Sequence, residues 1–456
     1  MINTKHYSKN FIGCTLCPNC GSTAQQGFDF KNLYCSACGT QHFSLGDVPC
    51  LFPAGNHHTV IWQHQTATMQ YMALQGLAAL EESLSRYDLT NTSRQRLTDI
   101  QTANQINLES ILTLLQKLGI NPAPNEQLGQ MNPGDISEYF DLIFRDWAWD
   151  SGLTPNQENA SALQRTMQFI ADLPTKPQRI LVLGAGAGRL SWDIHSQLKP
   201  EFTVALDSNP LLLAVASELI YNQKPLNFGE FKNFPQINYP ATKSWTLNPI
   251  DDPENLRSSW LLMGANVWQL PFIKQTFDLI ITPWFIDVNG GDVRDLIGLI
   301  HGQLTDHGHW INSGPLLFTR HLPTQLKYTA SEIKEFIDLS GFAFCSEVIE
   351  NTGYLLSPLE ARFREEQVWS FSAQKRTALT ETIIQTSAWL IMHHLPVPNL
   401  NFTCRDSHQL IDIILAKVDG IRSINDICLE IAPQIPEGIA VKDLVVTLFG
   451  QIISEK

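Results

Sequence analysis

No apolar run in the 456 residues approaches the ~20 consecutive positions that a bilayer-spanning helix needs, so no membrane contact is expected. Positive charge is in short supply as well. Only 31 Lys and Arg stand against 45 Asp and Glu, a formal charge of -14. Tracking a phosphate backbone calls for a basic footprint, so this balance argues against nucleic acid as the partner. The opening MINTKHYSKN lacks the charged-then-apolar pattern of a secretory leader, and a cytoplasmic protein is expected. Internal repeats and low-complexity runs are missing too, which excludes a repeat array or a biased disordered chain. What remains is ordinary globular composition, 43% hydrophobic with 11 Trp, in a chain long enough for two to four domains at ~150 residues each.

Cysteine is scarce except at one end, where six of the nine fall between Cys14 and Cys50. Without a leader peptide this density points to metal rather than disulfides. Cys17-Pro-Asn-Cys20-Gly and Cys35-Ser-Ala-Cys38-Gly are two knuckles with 14 residues between them. Two such thiolate pairs can converge tetrahedrally on one Zn²⁺ at Zn–S ~2.3 Å. Four sulfurs leave no open coordination position, so the zinc is expected to be structural. Cys14 and Cys50 are spare, although Cys14 with Cys17 also has CxxC spacing. The pairs His57-His58 and His393-His394 are read as solvated rather than ligating.

The chain divides by composition into a zinc ribbon (1–54), a helical hairpin or lid (55–134), an α/β domain (135–375) and a small helical or winged-helix-like module (376–456). Leu74, Leu77, Leu80, Leu84 and then Ile111, Leu112, Leu115, Leu118 recur at helical spacing, with a break near Tyr87–Asn91. In the third region, apolar strands at Arg179–Leu183, Phe202–Leu206, Phe277–Thr282 and His309–Ser313 alternate with amphipathic stretches. One of these opens at Thr329 and Glu332 with capping-box spacing. Such alternation predicts a mostly parallel, doubly covered sheet. In the last region Leu410, Ile413, Ile414 and Val441, Leu444, Val445, Leu448 keep helical steps. The Lys417–Ile427 stretch resembles a regulatory or peptide-binding module.

The central signal is Arg179-Ile-Leu-Val-Leu-Gly184-Ala185-Gly186-Ala-Gly188-Arg189-Leu190. A strand enters a glycine-dense turn where a ligand can lie against backbone. A second strand ends in Asp207, 23 residues after Gly184, where a carboxylate can accept ribose hydroxyls. A dinucleotide fingerprint wants Gly or Ala at the position of Arg189. The tighter Gly184-x-Gly186-x-Gly188 spacing suits S-adenosylmethionine instead, which disfavours a nicotinamide oxidoreductase. Gly264-Ala-Asn266-Val267, just before the strand at Phe277, is either an adenine contact or a plain loop. Asp287, after the same strand, is either a carboxylate beside the methyl group, able to accept the N–H of a neutral imidazole, or a helix cap.

Phe144-Arg145-Asp146-Trp147, LGAGAGRLSWDI from Leu183, WFIDV from Trp284 and WINSGPLL from Trp310 occur in that order. Together they resemble the carnosine N-methyltransferase family, whose members read roughly RDW, GAGLGRLAWEI, FFID and WINLGPLLYH. The resemblance spans about 140–372 and implies a Rossmann-like class I methyltransferase domain. It implies Arg145 as the holder of the cofactor's methionine carboxylate, a task for which the guanidinium fork is suited. It places Gly184, Gly186 and Gly188 in the cofactor loop, Asp207 where the family has Glu, and Asn266 and Val267 beside adenine. Asp287 matches the aspartate that holds the acceptor imidazole. Phe318 and Thr319 replace the family's Tyr and His, with His321 two residues on. No tyrosine-rich segment is evident; Tyr354 is isolated and Ala361–Gln367 is charged. The acceptor is therefore read as an imidazole or amine nitrogen of a small molecule or peptide. The rival reading is a macromolecule-binding protein in which the ribbon and the last module present RNA or protein to the central domain.

Overall fold

A computed structural model describes residues 9–53, 57–86, 88–122, 139–149, 158–233, 235–319, 322–376, 397, 409–435, 441, 442, 444–446 and 449. His321, His393 and His394 lie outside these residues, as does part of the last expected module. The chain opens with α1 (Lys9–Gly13), the short hairpin β1 (Phe28–Asp29) and β2 (Tyr34–Cys35), then β3 (Phe43–Leu45) and β4 (Val48–Leu51). Two long helices follow, α2 (His57–Leu84) and α3 (Asn91–Lys117). Thr90 caps α3 by accepting from the Ser93 N–H, so the break near residue 88 is a helix start set by side-chain chemistry.

The shorter helices α4 (Phe140–Trp147) and α5 (Glu158–Ala171) lead into β5 (Arg179–Leu183), α6 (Arg189–Leu198), β6 (Phe202–Asp207) and α7 (Pro210–Ala216). A separate hairpin of β7 (Leu226–Phe231) and β8 (Thr242–Leu247) precedes β9 (Trp260–Ala265) and β10 (Phe277–Pro283). The fold continues with α8 (Val293–Gln303), β11 (Leu304–Gly314), α9 (Ala330–Leu339), β12 (Phe342–Tyr354) and β13 (Arg364–Lys375). The expected capping box at Thr329 and Glu332 starts α9. Beyond it, α10 (Gln409–Leu415) and α11 (Ile424–Ile431) pack through Ile414, Ile424, Ile427 and Ile431.

Nine strands form one sheet in the order β12-β13-β11-β10-β5-β6-β9-β4-β3. The run β11-β10-β5-β6-β9-β4 is parallel, while β13 and β3 are antiparallel to their neighbours. This is the Rossmann-like α/β architecture expected from the alternation. Strand order reverses at β5, which sends β6 to one side and β10 to the other and opens a crevice at the carboxyl ends. The strand β9 escapes the sequence reading because all six of its residues are buried. A strand covered on both faces loses the alternating pattern that announces it.

Residues from the cysteine-rich region do not stand apart. The β4 strand pairs with β9 through Cys50–Gly264 and Leu51–Ala265. Phe11, Phe28 and Phe30 share a buried cluster with Leu181, Phe202 and Met263 of the sheet. The helical hairpin is also tied down. Asn107 on α3 donates to the Gly229 carbonyl at 2.7 Å and accepts from its N–H at 2.7 Å. Among the described residues no helix is long and apolar enough to cross a membrane.

Candidate active site

The carboxyl ends of β5, β6, β9 and β10 open into a cavity of about 640 Å³. Two glycines of the turn beneath it, Gly184 and Gly188, are small for different reasons. Gly184 takes φ +69°, and a Cβ there would stand 2.5 Å from the Phe285 ring. Gly188 takes φ +86°, and its Cβ would press on Ala216, Ile220 and Trp260 at 3.1–3.2 Å. Gly184, Ala185 and Gly186 line the cavity, whereas Gly188 does not. Its smallness serves the packing of the loop against β9, not a ligand.

Asp207 ends β6 at the cavity wall. One carboxylate oxygen accepts from the Gly186 N–H at 2.9 Å, and the other accepts from the Ser208 and Asn209 N–H groups at 2.8 and 2.9 Å. Burial raises its pKa, and these amides pull it back. Asn266 and Val267 line the far side, where the Asn266 side-chain oxygen accepts from the Trp268 N–H at 3.0 Å.

Arg145 reaches the same cavity from α4. The helix is docked on the glycine loop by Trp147, whose indole donates to the Ala187 carbonyl at 3.1 Å. Arg189 adds to this by donating to the Asp146 carbonyl at 3.2 Å. Arg145 donates through Nε and Nη2 to Asp146 Oδ1, at 2.8 Å each, and its Nη1 lies 3.7 Å from Glu158 Oε1.

Asp287 departs from expectation. It does not line the cavity, and Oδ2 accepts from the Leu317 N–H at 2.7 Å. The turn after β10 directs Trp284, Phe285, Val288 and Asn289 to the cavity, while Ile286 and Asp287 are buried on its other side. Asp287 is not the cap of α8 either, since Asp292 holds that position. Burial raises the Asp287 pKa. Phe318 and Thr319 are half-buried and lie off the cavity.

Three groups that sequence reasoning missed complete the wall. Trp284 stacks on Tyr354 with ring centroids 6.0 Å apart, and both line the cavity. Glu158, at the start of α5, accepts from the Leu355 N–H at 2.9 Å. Its carboxyl is pushed up to about 7 by burial, against the pull of Arg145. Trp284 was visible inside the WFIDV motif, but nothing local distinguishes Glu158 or Tyr354. His58, read as solvated, instead stacks on Phe52 at 3.7 Å, and both border the cavity beside Trp62.

The model of the family described as Carnosine N-methyltransferase matches residues 127–377. The chain belongs to that family. It is 22% identical over 287 residues to the Carnosine N-methyltransferase unmet of Drosophila melanogaster, covering 56% of this chain and 59% of that protein. It is 26% identical over 268 residues to the Carnosine N-methyltransferase of Rattus norvegicus, covering 52% and 64%. The matched part thus spans about three fifths of these relatives. Among solved structures, the N-methyltransferase NodS from Bradyrhizobium japonicum aligns with a TM-score of 0.33 and 10% identity, over 49% of this chain and 99% of that one. The phosphoethanolamine N-methyltransferase 2 of Haemonchus contortus, held with S-adenosylhomocysteine, gives 0.34 and 15%, over 53% and 58%.

The cysteine knuckles form a second candidate site. The sulfurs of Cys17, Cys20, Cys35 and Cys38 all lie within 4.8 Å of one another. Cys17–Cys38 and Cys20–Cys35 are 3.8 and 3.6 Å apart. Four thiolates at ~2.3 Å from a common tetrahedral centre stand ~3.8 Å apart, so the donor set fits zinc. Gly21 and Gly39, at φ +74° and +73°, end the two turns alike. Cys14 and Cys50 are outside the cluster.

Proposed function

We propose that the chain is an S-adenosylmethionine-dependent N-methyltransferase, with an imidazole or amine nitrogen of a small molecule or peptide as acceptor. One observation carries this reading: the Gly184–Gly186 backbone, the Asp207 carboxylate and the Arg145 guanidinium share one cavity at the carboxyl ends of the strands. The donor set suits a nucleoside joined to an amino acid, and the floor at Gly184 has no room for a side chain.

Asp207 accepts the ribose hydroxyls, Arg145 takes the methionine carboxylate, and Asn266 with Val267 borders the adenine. When bound, the cofactor supplies an electrophilic methyl group. The protein's share is to aim the acceptor lone pair and exclude water, which accounts for much of the rate in a displacement needing no strong base. Trp284, Phe285 and Tyr354 form the apolar wall for that purpose. Asp287 acts as a positioning residue: it holds the Leu317 amide, and with it the loop after β11. We further infer a structural zinc on Cys17, Cys20, Cys35 and Cys38, supported by the spacing of the four sulfurs.

Calorimetry with S-adenosylmethionine tests the reading, followed by turnover of an imidazole dipeptide. Micromolar binding of the first is expected. Failure to bind it ends the enzyme reading, whereas binding without turnover of the dipeptide removes only that acceptor.

A further inference from the structure

An α-amino acid carries its carboxylate and its ammonium on one carbon. A site built for it therefore needs a cation and an anion side by side. Arg145 and Glu158 meet this requirement within the cavity. Both line it, with Nη1 of one 3.7 Å from Oε1 of the other. Each side chain is also held from behind. Nε and Nη2 of Arg145 are taken by Asp146, and Oε2 of Glu158 accepts the Leu355 N–H. Nη1 and Oε1 are the atoms of the two side chains that face each other.

We propose that Glu158 receives the α-ammonium of the cofactor's methionine half, so that Arg145 and Glu158 form a paired clamp for the zwitterion. The inference rests on the methyltransferase reading above.

Charge balance supports the pairing. Arg145 already faces Asp146 and Glu158, both nearly buried. A ligand bringing only a carboxylate would set three carboxylates around one guanidinium in a poorly hydrated wall, a costly arrangement. A ligand bringing an ammonium as well sets a second cation against those three carboxylates and makes a charge-assisted hydrogen bond to Oε1. The competing role for Glu158 is to accept a proton from the methyl acceptor. In that case it would contribute nothing to binding the cofactor product.

Two ligands separate the possibilities in the full-length protein. S-adenosylhomocysteine carries the amino acid, whereas 5′-methylthioadenosine keeps the nucleoside and thioether but lacks it. Glu158→Gln is expected to weaken S-adenosylhomocysteine binding at least tenfold by calorimetry and to leave 5′-methylthioadenosine unchanged. Glu158→Asp is expected to recover part of the loss. Unchanged S-adenosylhomocysteine affinity in Glu158→Gln, with a lower kcat, overturns the clamp in favour of the proton acceptor. An equal loss for both ligands overturns it in favour of a role in holding the fold. Wild-type protein that binds neither ligand overturns the methyltransferase reading and the clamp together.

Discussion

Glu158 has a consequence for pH. The groups facing it are Arg145, Asp146, Tyr354 and Glu366, and burial lifts its carboxyl to about 7 in the free protein. An ammonium beside it favours the ionised form, so binding lowers that pKa. A carboxyl whose pKa falls on binding contributes affinity above its free value and loses it as pH drops below. S-adenosylhomocysteine affinity is therefore expected to be flat just above pH 7, where the ligand's amine is still protonated, and to fall by up to tenfold per pH unit beneath it. The 5′-methylthioadenosine affinity should follow no such curve; parallel titrations of both ligands check this. A second residue-scale prediction concerns Gly184→Ala. The added Cβ meets the Phe285 ring at 2.5 Å in a left-handed backbone, so the loop must shift. Cofactor affinity should fall by one to two orders of magnitude while the far-ultraviolet dichroism stays unchanged. At this scale the motif glycines and Asp207 were legible because strand, turn and carboxylate are neighbours in sequence, whereas Arg145 was legible only through the family resemblance. Glu158 and Tyr354 were not, because neither stands in a motif that marks it and only packing brings each to the cavity.

Asn107 is one of the side chains that position the helical hairpin, with Ser110 and Lys117 on the same helix. Asn107 pairs with both the N–H and the carbonyl of Gly229, and a Cβ at Gly229 would clash with Ala103 at 2.6 Å. Asn107→Ala leaves two buried backbone groups without a partner, at about 1–3 kcal/mol each. Chemical denaturation should register a loss of about 2 kcal/mol or more. Hydrophobic spacing revealed the two helices but not their partner, since periodicity marks a buried face without naming what covers it. The same limit applies to β12 and β13. Their long antiparallel pairing builds the wall carrying Tyr354, and the sequence reading named neither strand.

The whole molecule joins the knuckles to the cofactor cavity. The β4 strand lies beside β9 in the sheet, and Phe52, the residue after it, lines the cavity with Trp62. Loss of metal should loosen β4 and with it this wall. Prolonged chelation, or Cys35→Ser with Cys38→Ser, is expected to release about one zinc per chain and to weaken S-adenosylmethionine binding at least severalfold. Metal analysis and calorimetry on the same sample decide it. Affinity that survives complete zinc removal would show that the ribbon is an independent appendage.

What the amino-acid order determined alone is the local chemistry. It includes the strand–glycine–helix turn, the carboxylate ending the next strand, the paired knuckles, the capped helix starts and the motif series that marks the family. Apart from the motif series, each depends on residues within a few positions, or one β–α–β unit, of one another. Tertiary structure decided which side chains face the cavity. It turned Asp287 inward to Leu317, brought Glu158 beside Arg145, stacked Tyr354 on Trp284 and extended the sheet with the ribbon's last two strands. Such placements follow from packing between separate elements, where a one-residue turn of the backbone reverses the direction of a side chain.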